Sequence, residues 1–289
     1  MKSTADAAAL AVIAAAPDPG APDETERLLG AMPIKELASM WGALQRLSRR
    51  DQTSGSWAAV MYFDSLPHDN PDRALDLALE VLRSESDKPT LMQLNDKFIQ
   101  ALLYANGERV IDRIEAEASD NAKLRWLLGG INFGPEEALQ DRIEALGDSG
   151  RWRKDAKARR TPKHPLDCEA MSVAELARAW VEQYSKSDRD RDGNFFVMMD
   201  YESELREEDP DKAIDLIIEI LGIETNPVLL SLLAAGPLED VISMNTIDRI
   251  EREAKSNERF HGLLGGVWYY RASDELKARL DALVGGNHR

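Results

Sequence analysis

The sequence predicts an all-α protein of two tandem multi-helix domains, the product of an internal duplication, packed as a bundle or in HEAT-like fashion. Three observations carry that prediction. A stretch running from Ile111-Asp112-Arg113-Ile114-Glu115 to Leu127-Leu128-Gly129-Gly130 returns as Ile247-Asp248-Arg249-Ile250-Glu251 to Leu263-Leu264-Gly265-Gly266, shifted by 136 residues throughout. Apolar residues recur at three and four positions over most of the chain, the spacing of one helical face, and the alternation typical of strands is nearly absent. The clearest helix start, Asn70-Pro71-Asp72, is itself repeated as Asp209-Pro210-Asp211.

The 289 residues suffice for two ordinary domains, and a hydrophobic content of 43% is enough for each to build a core. The expected organisation is a disordered tail over 1–31, a first helical copy over 32–147, a basic linker over 148–170, a second copy over 171–285 and a short tail over 286–289. Cys168 is the one cysteine, which excludes an intramolecular disulfide and gives no sign of an oxidising compartment. Ala7 to Ala16 is read as part of the tail rather than a leader, since it is short and follows Asp6, and no run reaches the ~20 apolar residues of a membrane span. The expectation is a cytoplasmic protein. Its net charge of −16 divides into −9 over 1–147, +3 over 148–170 and −10 over 171–289. Two acidic bodies of this kind repel phosphate backbones and attract basic proteins.

In chain order, Ile34, Leu37, Trp41 and Leu44 lie on one face of a first helix, matched by Val173, Leu176 and Trp180 at an offset of 139. Ser172 and Glu175 form a capping-box pattern ahead of the second set. Trp57, Tyr62 and Leu66 mark the next helix and correspond to Phe196, Tyr201 and Leu205. The two Pro-Asp starts then supply a capping side chain, a proline at the first helical position and an acid at the positive end of the helix dipole. Behind them Leu75, Ala78, Leu79 and Leu82 repeat as Ile214, Ile217, Ile218 and Leu221, a pattern that demands burial. Between the Pro-Asp helices and the repeated stretch the offset falls from 139 to 136, so an indel is expected in a loop there. The repeated stretch follows, with Ile111, Ile114, Ile247 and Ile250 as core and Arg113 to Glu117 and Arg249 to Glu253 as supporting pairs one turn apart. Each copy closes on another amphipathic helix, Leu139, Ile143 and Leu146 behind Pro135, and Leu276, Leu280 and Leu283 behind Ser273. The Gly-Gly pairs are read as helix terminators in the left-handed conformation.

Ala234-Ala235-Gly236-Pro237-Leu238-Glu239-Asp240, Asp248-Arg249-Ile250-Glu251 and Leu263-Leu264-Gly265-Gly266-Val267-Trp268 together resemble a bacterial domain family of unknown function. The resemblance is closest over 165–285 and covers 33–146 less fully, since the first copy lacks the Gly-Pro-Leu-Glu segment and has Asn132 in place of Trp268. It implies a shared fold and a bacterial source and brings no catalytic residues.

Candidate chemistry is sparse. Asp188, Asp190, Asp192 and Gly193 begin like a calcium loop, but the twelfth position is Met199 where a bidentate Glu is required, which favours a polar inter-helix loop. His68, His164, His261 and His288 lack metal-ligand spacing. Cys168 near His164 has the residue types of a nucleophile and base but sits beside the linker. Arg151, Arg153, Lys154, Lys157, Arg159, Arg160 and Lys163, with Trp152, are the only case for nucleic acid, and the acidic bodies on either side favour a linker folded against them. No catalytic residue, metal or cofactor is assigned.

The remaining candidates are the acids Glu202, Glu204, Glu207, Glu208 and Asp209 around the start of the strongest second-copy helix, with Glu239, Asp240, Trp268, Tyr269 and Tyr270, where the copies differ. The expected function is a non-catalytic bacterial protein-binding protein that takes a basic partner through these residues, in its most concrete form an immunity protein neutralising a secreted toxin. The alternatives are a structural or adaptor scaffold, and an enzyme with a dispersed carboxylate site.

Overall fold

The computed structural model describes residues 22–131 and 137–285. Asn132, Pro135, His288 and the tails over 1–21 and 286–289 lie outside the described residues. Among the described residues the secondary structure is helical, without strands. The chain forms two compact units, one reaching Arg160 and taking in Ser187–Asp190, the other comprising Thr161–Lys186 and the residues from Arg191 on.

The first unit strings together α1 (Pro22–Ala31), α2 (Ile34–Gln45), α3 (Ser54–Asp69), α4 (Pro71–Ser84), α5 (Lys88–Leu94), a five-residue π-turn (Asn95–Ile99), α6 (Gln100–Asp120), α7 (Ala122–Leu128), α8 (Glu137–Leu146) and α9 (Ser149–Arg160). The second contains α10 (Val173–Ser185), α11 (Gly193–Glu208), α12 (Pro210–Ile223), α13 (Pro227–Leu233), a π-turn (Ala234–Leu238), α14 (Glu239–Val241), α15 (Ile247–Ser256), α16 (Glu258–Leu264) and α17 (Asp274–Val284). From α2 to the first π-turn every α-helix start recurs 139 residues later. The predicted caps form: Asn70 accepts from the Arg73 amide at 3.1 Å, Asp209 from the Lys212 amide at 3.0 Å, and Ser172 and Glu175 close their capping box. Each such cap contributes about 1 kcal/mol.

Both cores are built from the predicted stripes. Trp41, Leu75, Ala78, Leu79, Leu82, Ile111 and Ile114 are buried in the first unit, and Trp180, Ile214, Ile217, Leu221, Ile247 and Ile250 in the second, with Ile218 half-buried at the edge. Burying one such aliphatic side chain contributes roughly 1.5–3 kcal/mol, so these stripes dominate the stability of both units.

The Asp-Arg-Ile-Glu repeat is a three-helix clasp. Its isoleucines face the core. Its arginines reach back to the preceding long helix, Arg113 to Asp76 on α4 and Arg249 to Asp215 (2.6 Å) and Asp211 (3.2 Å) on α12. Its acids grip an arginine of the closing helix: Arg142 meets Asp112 at 2.6 Å and Glu115 at 2.7 Å, and Arg279 meets Asp248 at 2.5 Å and Glu251 at 2.6 Å. The expected pair of Arg249 with Glu253 forms at 3.0 Å, whereas Arg113 turns to Asp76 rather than to Glu117.

Several expectations change. Part of the tail expected to be disordered is α1, with Leu29 buried in the first core. The expected linker begins as α9, whose Trp152 is buried against Trp126 at a ring separation of 4.7 Å. The Gly-Gly pairs end their helices without left-handed backbone, since Gly129 and Gly265 both have φ −63°. Their glycines serve close approach instead. A Cβ on Gly129 would lie 2.4 Å from the Asp148 carbonyl carbon, one on Gly130 2.2 Å from the Trp152 ring, and one on Gly266 2.9 Å from Ala234 Cβ. The π-turn occurs in both copies at offset 139, which places the indel after it: α6 runs on through a kink at Asn106, whereas the shorter second copy breaks between α14 and α15.

Candidate functional site

The site develops from one face of α11. In the first unit the inward positions of α3 are Ala59, Tyr62, Phe63 and Leu66, a buried stripe at the helical period. Their counterparts on α11, at offset 139, are Met198, Tyr201, Glu202 and Leu205. Glu202 is therefore directed inward at a core position and does not join the acidic surface with its sequence neighbours. The residue is half-buried as a whole, but its Oε1 is sealed from solvent.

Around it lies a cavity of about 360 Å³ lined by α11, α12 and the Ala234–Leu238 turn. Its walls are mainly apolar, among them Leu216, Ile217, Ile220 and Pro237. At the corresponding positions of the first unit, Phe63 and Phe98 are both buried, where the second copy has Glu202 and Pro237, and Tyr184 stands where the first copy has Gln45. The turn that carries Pro237 is a π-turn, an element that recurs at functional sites because its extra residue re-aims the backbone.

The polar groups of the cavity are few. Tyr184, stacked on Trp180 at 4.3 Å, donates its hydroxyl to Glu202 Oε2. The Trp180 indole comes near the same carboxylate, but Trp180 Nε1 and Glu202 Oε1 remain outside hydrogen-bond geometry. Burial pushes the Glu202 carboxyl up to about 7; the hydroxyl and indole oppose that rise, and the charge of Asp240 adds to it. Asp240, on α14 and exposed, pairs with Arg206 at 2.8 Å, and both residues line the cavity. Counting Glu202 ionised, the lining carries two negative charges and one positive.

A second cavity, of about 330 Å³, gathers Glu239, Trp268, Tyr269 and Tyr270. Glu239 accepts from the Trp268 backbone amide at 2.9 Å and so ties the segment after α16 to α14. Trp268 and Tyr270 are 72% and 65% exposed, large values for aromatic side chains. Tyr269 instead turns its hydroxyl to Asp281 at 2.7 Å, and burial together with that carboxylate pushes it up to about 12. Glu239 and Asp240 thus face adjoining cavities from consecutive positions. Glu204, Glu207 and Glu208 are exposed on α11 and line neither cavity, and Asp209 is the cap of α12.

The other candidates find separate roles. Asp188 pairs with Arg49 at 3.2 Å and with Lys97, Asp190 accepts from Ser187 at 2.7 Å, and Asp192 caps α11. Gly193 is the first residue of that helix rather than the pivot of a loop. Arg189 binds Asp87 at 2.9 Å; burial would raise this carboxyl, but Arg189 and the Thr90 hydrogen bonds hold it at about 2. On α9, Arg159 is half-buried and donates to the Asp188 carbonyl at 2.7 Å, while Arg151, Arg153, Lys154 and Lys157 are exposed. Burial and the charges of Asp167 and Glu202 push the Cys168 thiol up, against the shift a thiolate nucleophile needs. Among the described residues no three His, Cys, Asp or Glu side chains converge as a metal site, and no helix is long and apolar enough to cross a membrane.

Fold and site define a duplicated all-helical protein whose copies share a framework and differ in what the second leaves open. The chain belongs to a family of unknown function (DUF6869), which matches residues 45–150 and 185–287, one match for each copy. No curated protein matches the chain, and no solved structure does.

Proposed function

We propose that the protein is a non-catalytic binding protein for a basic protein partner, and that the second unit engages it through Trp268, Tyr270 and the acids beside them. The observation that carries this reading is the exposure of Trp268 and Tyr270 on a segment fastened by Glu239. Aromatic side chains of this kind dominate binding energies when a partner desolvates them, and here the backbone amide of Trp268 is tied to Glu239. The surrounding charge gives the partner its sign. Residues 171–289 carry a net charge of −10, and Glu204, Glu207, Glu208 and Asp209 are exposed on the same unit. Complementary charge steers encounter and raises the association rate. The most concrete form of the reading is a bacterial immunity protein that covers the basic active surface of a secreted toxin.

The test is co-purification of the tagged full chain from its native host in low and high salt, followed by calorimetry with any partner found. A basic partner whose affinity falls with salt and with W268A/Y270A supports the reading. Capture of an acidic or nucleic-acid partner, or of none across the salt range, overturns it. The immunity form further requires that co-expression rescue growth from the partner's toxicity.

A further inference from the structure

We infer that the cavity beside Trp268 is a binding pocket for an arginine side chain presented by the partner. This inference rests on the protein-binding reading above and deepens it by naming the side chain that the second unit takes. The indole of Trp268 is 72% exposed, and the backbone amide of the same residue donates to Glu239 Oε2 at 2.9 Å. Ring and carboxylate therefore line one cavity, joined by a single hydrogen bond. That bond takes one of the roughly four acceptor positions of the carboxylate, so the half-buried acid can accept from a ligand as well.

An exposed aromatic face beside a carboxylate is complementary to a guanidinium, which stacks through its plane and donates through its edge. The chain makes the stacking contact within the same cavity, where the Arg271 guanidinium lies over the Tyr270 ring at 5.3 Å. Because Arg271 holds the Tyr270 face, the incoming side chain is assigned to Trp268, which is also the stronger cation–π ring. Val267 and Leu276, both buried, add apolar wall against which the methylenes of an arginine pack. The volume of about 330 Å³ holds one such side chain. A lysine fits less well, since its ammonium is a compact, strongly hydrated charge without a plane to stack. Arg271 carries the same sign as the ligand and so opposes binding rather than making it.

The test is NMR titration of the full chain, its tryptophan indoles isotope-labelled, with the Nα-acetyl N-methylamides of arginine, citrulline and lysine. The Trp268 signal is assigned by its absence from W268A. The arginine probe should shift that signal and bind about fivefold or more tighter than the uncharged citrulline isostere, with lysine in between. In E239Q the preference for arginine should shrink, while the glutamine carbonyl still accepts the Trp268 amide and the weak binding of citrulline persists, which shows that the cavity remains folded. R271A removes a like charge and uncovers the Tyr270 ring, so it should tighten arginine binding; a loss in R271A would mean that the pocket recruits an anion, and overturns the inference. Equal binding of arginine and citrulline, or of arginine and lysine, also overturns it, as does an undiminished preference in E239Q or the absence of any shift at tens of millimolar. W268A/Y270A tests the parent reading separately. A partner complex weakened by that variant, beside equal binding of arginine and citrulline, overturns this inference alone. An arginine preference beside a complex indifferent to that variant upholds the pocket and overturns the parent reading.

Discussion

Glu202 stands in the second copy where Phe63 stands in the first, so a carboxylate holds a position whose counterpart is a phenyl ring only 3% exposed. The difference places the most strongly raised carboxyl of the described residues in the cavity lining. Because the folded-state value is about 7 against 4.5 for the free side chain, the folded protein holds this proton more tightly than the unfolded chain does. Glu202 therefore contributes stability below about pH 4.5 that is lost as pH rises through about 7, on the order of 3 kcal/mol in full. E202Q should abolish that slope, leaving the variant more stable than wild type at about pH 8 and nearly equal to it at about pH 5. Denaturant unfolding at both values measures the effect, and parallel profiles for the two proteins would refute it.

Glycines in the repeated motif should differ sharply in their tolerance of alanine. Gly130→Ala drives a methyl to within 2.2 Å of the Trp152 ring, so α9 must shift or lose its anchor, a loss of roughly 2–4 kcal/mol. Gly262, inside α16, has nothing within 4 Å of a new Cβ, and Gly262→Ala should be neutral or stabilise by up to about 1 kcal/mol through helix propensity. Thermal unfolding of the two variants gives the comparison.

The clasp between the Asp-Arg-Ile-Glu motif and the closing helix is electrostatic and partly exposed. Arg279→Ala removes the partner of both Asp248 and Glu251 and should lower the melting temperature at low salt, with the difference shrinking as salt is raised. Arg279→Lys should recover only part of it, since an ammonium cannot hold two carboxylates with a planar fork. A loss independent of salt would instead assign Arg279 a packing role.

Partner recognition can be localised by comparing aromatic with acidic variants. W268A/Y270A should weaken the complex at least about tenfold, chiefly through faster dissociation, whereas charge reversal at Glu204 and Glu208 should mainly slow association. Surface plasmon resonance separates the two rates.

Much of this architecture is legible in the sequence. Caps such as Asn70 and Asp209, the proline after each, and stripes such as Ile214, Ile217 and Leu221 are local signals, and they fix helices and their buried faces. Glu202 escapes because it lies in an acidic run, and only alignment of Met198, Tyr201, Glu202 and Leu205 with Ala59, Tyr62, Phe63 and Leu66 exposes it as an inward position. The close approach at Gly130 escapes for another reason: Trp152 arrives from a helix that composition alone presents as a basic linker. The Arg142 and Arg279 forks depend on distances between helices, which no local period encodes. Glu239 and Trp268 were legible as differences between the copies, but not the amide-to-carboxylate bond that joins them.

Ser187–Asp190 lies between α10 and α11 in the chain, yet it belongs to the first unit, where Asp188 meets Arg49 and Lys97 and Arg189 meets Asp87. What was inherited as a repeat and what folds as a body are therefore offset by four residues. A fragment ending at Arg160 forfeits these partners, and one starting at Thr161 carries them away. Deleting or exchanging the second copy as a module would therefore take these four residues out of the first unit.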